Sequence, residues 1–77
     1  MTTRKAHGPA IRAIRKALGV TQDDLAISCD VTPGYMSNVE AGKKQPSEAL
    51  VSAISLRLGV PKDAITYTVE AGAKAAA

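Results

Sequence analysis

Neither phenylalanine nor tryptophan occurs in this chain of 77 residues, and its aromatic content is two tyrosines. A core must therefore be filled by Ala, Leu, Ile and Val. Such side chains, with few β-branched runs, suit a helical bundle better than a β-sandwich. Hydrophobic residues make up 45% of the chain, enough for one core; at this length one domain fits and two do not. So small a domain buries a modest fraction of its surface, and dimerisation would add stability.

Cys29 is the only cysteine and His7 the only histidine. An intramolecular disulfide is excluded, and a zinc site would need more ligands than these two offer. A chain without disulfides belongs in a reducing cytoplasm. Cys29 is expected to fill the core and His7 to be a polar residue of an N-terminal arm. No apolar run approaches ~18 residues, which excludes a transmembrane helix. No apolar region follows Met1-Thr2-Thr3-Arg4-Lys5, which excludes a secretory signal. With no paired carboxylates placed for catalysis and no phosphate-cradling glycine loop, neither an enzyme nor a cofactor is expected.

Residues 1–7 are polar and basic and read as a flexible arm, followed by a domain over 8–66 and a tail over 67–77. After Gly8-Pro9, Ile11, Ile14 and Leu18 recur at helical spacing, and Gly19 stops that helix. Thr21 caps a second, very short helix, with Asp24 at the capping-box position and Leu25, Ala26 and Cys29 inward. Asp30 tolerates the left-handed conformation of a tight turn. Thr32 is an N-cap with Pro33 at the first helical position; Met36 and Val39 face inward, and Ala41-Gly42 closes this third helix. A basic loop, Lys43-Lys44-Gln45-Pro46, leads to Ser47 and a fourth helix with Val51, Ile54, Ser55 and Leu58 inward. Gly59 stops it, Pro61 opens one further turn, and Thr66-Tyr67-Thr68-Val69 has the composition of an extended segment. Ala71 to Ala77 reads as a frayed end. The expectation is an all-α bundle of four to five short helices, none stable alone, sharing one core.

The stretch from Thr21 to Glu40 carries the function. Two helices joined by so short a turn pack steeply. Small Ala26 allows the close crossing and Val31 plugs the turn. Met36 and Val39 hold the later helix down, leaving Thr32, Gly34, Tyr35 and Asn38 outward. A helix presented this way fits the DNA major groove. The net charge of +3 is weak evidence alone, but its distribution is uneven. Arg4, Lys5, Arg12, Arg15 and Lys16 gather near the N-terminus, and Lys43 and Lys44 form a second group, so one face can be positive.

At this point the sequence resembles the Cro/CI-type helix-turn-helix family of phage and bacterial repressors, with its lambda repressor-like DNA-binding fold. The residues that carry the resemblance are Gln22, Leu25, Ala26, Val31, Thr32, Met36, Ser37, Val39 and Glu40. It extends back to Arg15 and Leu18-Gly19-Val20, and forward through Gly42-Lys43-Lys44, Pro46-Ser47 and Leu58-Gly59-Val60. The resemblance implies that Gln22 grips a phosphate or braces a base-reading residue. It implies that Thr32, Pro33, Gly34, Tyr35 and Asn38 face the bases, that Lys43 and Lys44 contact phosphates, and that Arg15 and Glu40 form a buried ion pair. Arg4 and Lys5 would serve as a minor-groove arm or stand idle. Two positions depart from the pattern: Asp30 stands where Gly is usual, and Gly34 gives the recognition helix no side chain at a prime reading position.

On the fourth helix, Ala49, Ala53 and Leu56 form a second apolar stripe, which suggests a partner surface. Tyr67 and Val69 would join it, or pair as strands across a two-fold axis. The expected function is that of a small repressor of a phage or mobile element, binding palindromic double-stranded operator DNA as a homodimer. The alternatives are the antitoxin of a toxin–antitoxin pair and a protein-interaction adaptor on the same fold. No membrane partner is expected.

Overall fold

Each helix starts where the sequence supplies a cap. In the computed structural model, which describes residues 2–70, β1 (Thr2–Ala6) leads into α1 (Gly8–Ala17), α2 (Gln22–Ser28), α3 (Pro33–Glu40) and α4 (Glu48–Leu58). A short 3-10 turn (Lys62–Ala64) then precedes β2 (Thr66–Glu70). The Thr21 hydroxyl accepts the Asp24 N–H at 3.0 Å, Thr32 accepts that of Tyr35 at 3.1 Å, and Ser47 that of Leu50 at 3.2 Å. Each bond satisfies an amide that the first helical turn leaves without a partner. Gly59, at φ 70°, ends α4 in the left-handed conformation that a side chain disfavours. Asp30 takes the same region at φ 61° between α2 and α3, as its position in the turn requires.

One core joins the four helices. Ile11, Leu25, Ala26, Met36, Ile54 and Ile65 are fully buried, with Val39, Val51, Leu58, Leu50 and Cys29 around them. Two inward assignments differ from the sequence pattern. Leu18 continues the α1 stripe in spacing but falls at the C-cap, beyond the last helical residue, and is exposed. On α4, Leu50 is buried and Ser55 is only partly so. Ser55 Oγ donates to the Ser52 carbonyl, which satisfies a hydroxyl at the edge of an apolar face.

The larger difference lies at the two ends of the described chain. Residues 1–7 read as a flexible arm, yet Thr2–Ala6 pairs antiparallel with Thr66–Glu70, with Lys5 opposite Tyr67 and Arg4 opposite Thr68. Strand pairing satisfies backbone groups that an arm would leave to water. Ala6 also packs against the core, and its N–H donates to Gln45 Oε1 at 2.8 Å. His7, read as a plain arm residue, caps α1: its Nδ1 accepts the Ala10 N–H at 3.0 Å and its own N–H donates to the Ile65 carbonyl at 2.8 Å. The extended character of Thr66–Val69 is thus used within the chain. Residues 71–77, expected to fray, lie outside the described residues. Among the described residues no helix is long and apolar enough to cross a membrane.

Candidate nucleic-acid interface

The position of α3 is set from below. Ala26, with no side chain beyond Cβ, lies at the α2–α3 crossing with no solvent exposure, and its carbonyl accepts the Val31 N–H at 3.0 Å. This bond and the left-handed Asp30 turn the chain within the four residues between α2 and α3. Met36 and Val39 then pin α3 to the core. At its free end Thr32, Pro33 and Gly34 are exposed. Asn38, one turn on from Gly34, is half-buried. A Cβ built at Gly34 would meet nothing within 4 Å, so the backbone there is open to an approaching surface.

Behind α3 lies a buried ion pair. Arg15 Nε donates to Glu40 Oε2 at 2.7 Å and Nη2 to Oε1 at 3.1 Å, a bidentate arrangement. Arg15 is 7% and Glu40 5% exposed. Arg15 Nη1 also donates to the Val20 carbonyl at 2.9 Å, and Gln22 Nε2 donates to Glu40 Oε1 at 3.1 Å. The end of α3, the start of α2 and the last turn of α1 are thereby tied at one carboxylate. Gln22 is held by this bond at the start of α2, half-exposed. At the other side of the pair α1 comes so close to α3 that a Cβ on Gly8 would stand 2.5 Å from the Glu40 carbonyl oxygen and 2.6 Å from that of Val39. Only glycine fits there.

Lys43 and Lys44 follow directly. Both backbone N–H groups donate to the Asn38 carbonyl, at 2.8 and 3.3 Å, so the loop is anchored to the helix and both lysines are exposed. The structure therefore gathers Gln22, Thr32, Pro33, Gly34, Asn38, Lys43 and Lys44 around α3. Tyr35 differs from its outward assignment: it is half-buried and packs against the edge of the core, where with Ala49 and Ala53 it borders an apolar groove. Arg4 and Lys5 stand on β1 rather than on a free arm, and Arg4 is 3.4 Å from Asp63 in an exposed ion pair. Of the expected partner surface, Ala53 is partly buried against the core, Leu56 is 83% exposed, and Tyr67 and Val69 lie half-exposed on β2. Tyr67 meets the His7 ring edge-on at 5.8 Å.

Arg12, read above only as part of the basic group, and Ser37, read only as carrying the resemblance, line a recess with Gln22 and the ion pair. Periodicity holds the signal for Ser37, which follows Gly34 at i+3 and Pro33 at i+4, and for Arg12, one turn before Arg15.

The chain is similar to known proteins along most of its length. The transcriptional regulator ClgR of Mycobacterium tuberculosis is 34% identical over 73 residues, covering 95% of this chain and 63% of that protein, so the chain spans less than two thirds of this relative. The control protein C.BamHI of Bacillus amyloliquefaciens is 36% identical over 67 residues, 84% of this chain and 83% of that one. The crystal structure of the clp gene regulator ClgR from Corynebacterium glutamicum superposes with a TM-score of 0.71 at 38% identity, covering 73% of this chain and 60% of the other. The helix-turn-helix family model matches residues 11–65. That span holds the α2–α3 unit, the buried Arg15–Glu40 pair and all of α4, and the chain belongs to the helix-turn-helix family, of the Cro/CI type.

Proposed function

We propose that this chain is a sequence-specific DNA-binding transcriptional regulator, acting in the cytoplasm as a small Cro-like repressor of a phage or mobile element. One observation carries the reading: α3 is fixed to the core by Met36 and Val39, while its N-terminal residues stand exposed at one end and the Lys43-Lys44 loop stands exposed at the other. In this reading α3 enters the major groove with its N-terminal residues near the base edges. Asn38 pairs bidentately with adenine and Thr32 touches a thymine methyl group. Lys43 and Lys44 contact phosphates, which position the protein without reading sequence. Gln22 keeps α2 and Glu40 in register beneath the reading helix. The similarity to a protein named a transcriptional regulator, and to one named a control protein that is matched over most of both chains, supports the assignment. The exposed Leu56, with Ala49 two turns before it on α4, supports a homodimer on DNA that reads two half-sites ~34 Å apart.

The test is selection from a randomised duplex pool at physiological salt. An enriched palindrome with half-sites one turn apart is the expected result. Asn38→Ala then relaxes one base position at a cost of about 1–3 kcal/mol on the preferred site, whereas Lys43→Ala weakens all sites alike and lowers the salt slope. A pool without enrichment refutes the reading, and equal effects of both substitutions on selected and random DNA remove Asn38 as a base reader.

A further inference from the structure

The two-stranded ribbon has no role in the reading above, yet it is tied to the loop that follows α3. Ala6 lies at the end of β1 and donates its N–H to Gln45 Oε1, one residue beyond Lys44. Between ribbon and loop runs an open cleft of about 570 Å³, bordered by His7, Tyr67, Lys44 and Gln45. No carboxylate lines it among the described residues. Lys5 is exposed and stands directly opposite Tyr67 in the strand register, and partners in register share one face of a sheet. Arg4, next along β1, belongs to the opposite face and is met there by Asp63. The cleft itself is lined by a phenol, an imidazole and one cation, Lys44, and Lys5, outside that lining but Tyr67's partner in register, has no counter-ion among the ion pairs of the described residues.

We propose that this cleft receives a phosphate of the DNA backbone, gripped between Lys5 and Tyr67 on the ribbon and Lys44 on the loop. The inference rests on the DNA-binding reading and extends it. The chain's N-terminal segment contacts DNA as a folded ribbon held at a fixed distance from the recognition helix, not as a loose arm in the minor groove. Charge decides the occupant: Lys44 and the Tyr67 phenol line a cleft with no acidic group, Lys5 stands next to Tyr67 in the strand register, and through Lys44 the cleft adjoins the Lys43-Lys44 loop. A phosphodiester anion fits that chemistry, and a backbone that has already met Lys43 supplies it.

The experiment measures affinity for the selected site and for a random duplex between about 50 and 200 mM salt, for the full chain and for Lys5→Ala, Tyr67→Phe and Lys43→Ala. Circular dichroism verifies that each variant is folded. Lys5→Ala is expected to reduce the salt slope by about one. Affinity over that salt range then falls about 3.5-fold less than it does for the parent, on both duplexes. Tyr67→Phe removes one neutral donor and keeps the apolar ring, so affinity drops roughly three- to tenfold on both duplexes with the slope unchanged. If Lys43→Ala lowers the slope while Lys5→Ala does not, DNA binding stands and the ribbon contact is refuted. If Lys5→Ala acts but Tyr67→Phe has no effect, Lys5 works as a free arm and the cleft is refuted. If the parent chain itself binds neither duplex, the underlying reading fails and this inference falls with it.

Discussion

Removing the Glu40 carboxylate tests the scaffold most directly. Glu40 accepts three hydrogen bonds, two from Arg15 and one from Gln22. In Glu40→Ala the guanidinium of Arg15, a residue 7% exposed in the parent chain, keeps the Val20 carbonyl as its one remaining partner. A buried charge deprived of its counter-ion costs about 3–5 kcal/mol. At ~0.05–0.15 kcal/mol per residue, a chain of 77 residues has roughly 4–12 kcal/mol in total, so the variant forfeits a large share of its stability. The midpoint of thermal unfolding should fall by at least about 12 °C, taking ~4–8 °C per kcal/mol for a domain of this size. Urea unfolding followed by circular dichroism gives the loss directly. The paired substitution Arg15→Met with Glu40→Leu restores apolar packing and should lose much less than the two single changes summed, since coupled neighbours are non-additive. A loss below ~1 kcal/mol for Glu40→Ala is what an exposed pair gives, and it would refute the claim that this pair holds α1, α2 and α3 together.

Gly34→Ala should raise stability by about 1 kcal/mol, because its Cβ meets nothing and alanine is the better helix former, while it weakens DNA binding if the backbone there approaches the groove closely; unfolding and binding curves on one variant separate the two effects. Gly8→Ala should destabilise by about 1–3 kcal/mol, since the new Cβ forces α1 away from two α3 carbonyls, and urea unfolding measures it. Burial pushes the Cys29 thiol above its ordinary pKa, with Arg57 pulling weakly the other way. Less thiolate is then present near pH 8, so alkylation should be slow in the folded chain and fast in denaturant; equal rates would place the thiol outside the core.

What the sequence discloses here is mostly local. The caps at Thr21, Thr32 and Ser47 and the turn at Asp30 each depend on one side chain and its neighbours within a turn, and each appears at the expected place. Arg15 and Glu40 are 25 residues apart, and no spacing rule joins them; only the family resemblance does. The ribbon is illegible for a related reason. Thr66–Val69 has strand composition, but Thr2–Ala6 lacks an apolar alternation and its partner lies at the far end of the chain, so no local pattern announces the pairing. His7 as a cap escapes notice because histidine is not among the preferred capping residues. For Tyr35 the sequence allows both an outward position and cover for the edge of the core, because its place on α3 lies between reading face and core; the structure has it packed against the core.

The division of labour on α3 sets how binding energy is distributed. Of the residues assigned to the bases, Gly34 offers only backbone and Pro33 no N–H at all. The Thr32 hydroxyl is already engaged as acceptor for the Tyr35 amide, and Tyr35 packs against the core. Asn38 is left as the one amide able to pair bidentately with a base, a contact that discriminates by about 1–3 kcal/mol. Specific binding exceeds non-specific binding by ~4–10 kcal/mol in proteins of this kind, and one such contact does not reach that range. In the proposed homodimer, two half-sites would bring the sum to about 2–6 kcal/mol, and deformability of the DNA between them would supply the remainder. Deleting one half-site from the selected palindrome should therefore abolish most of the discrimination while leaving a strongly salt-dependent residue of affinity through the lysines. If the single half-site keeps its full preference over random DNA, the dimer is not what confers specificity, and α3 must read more than Asn38 alone.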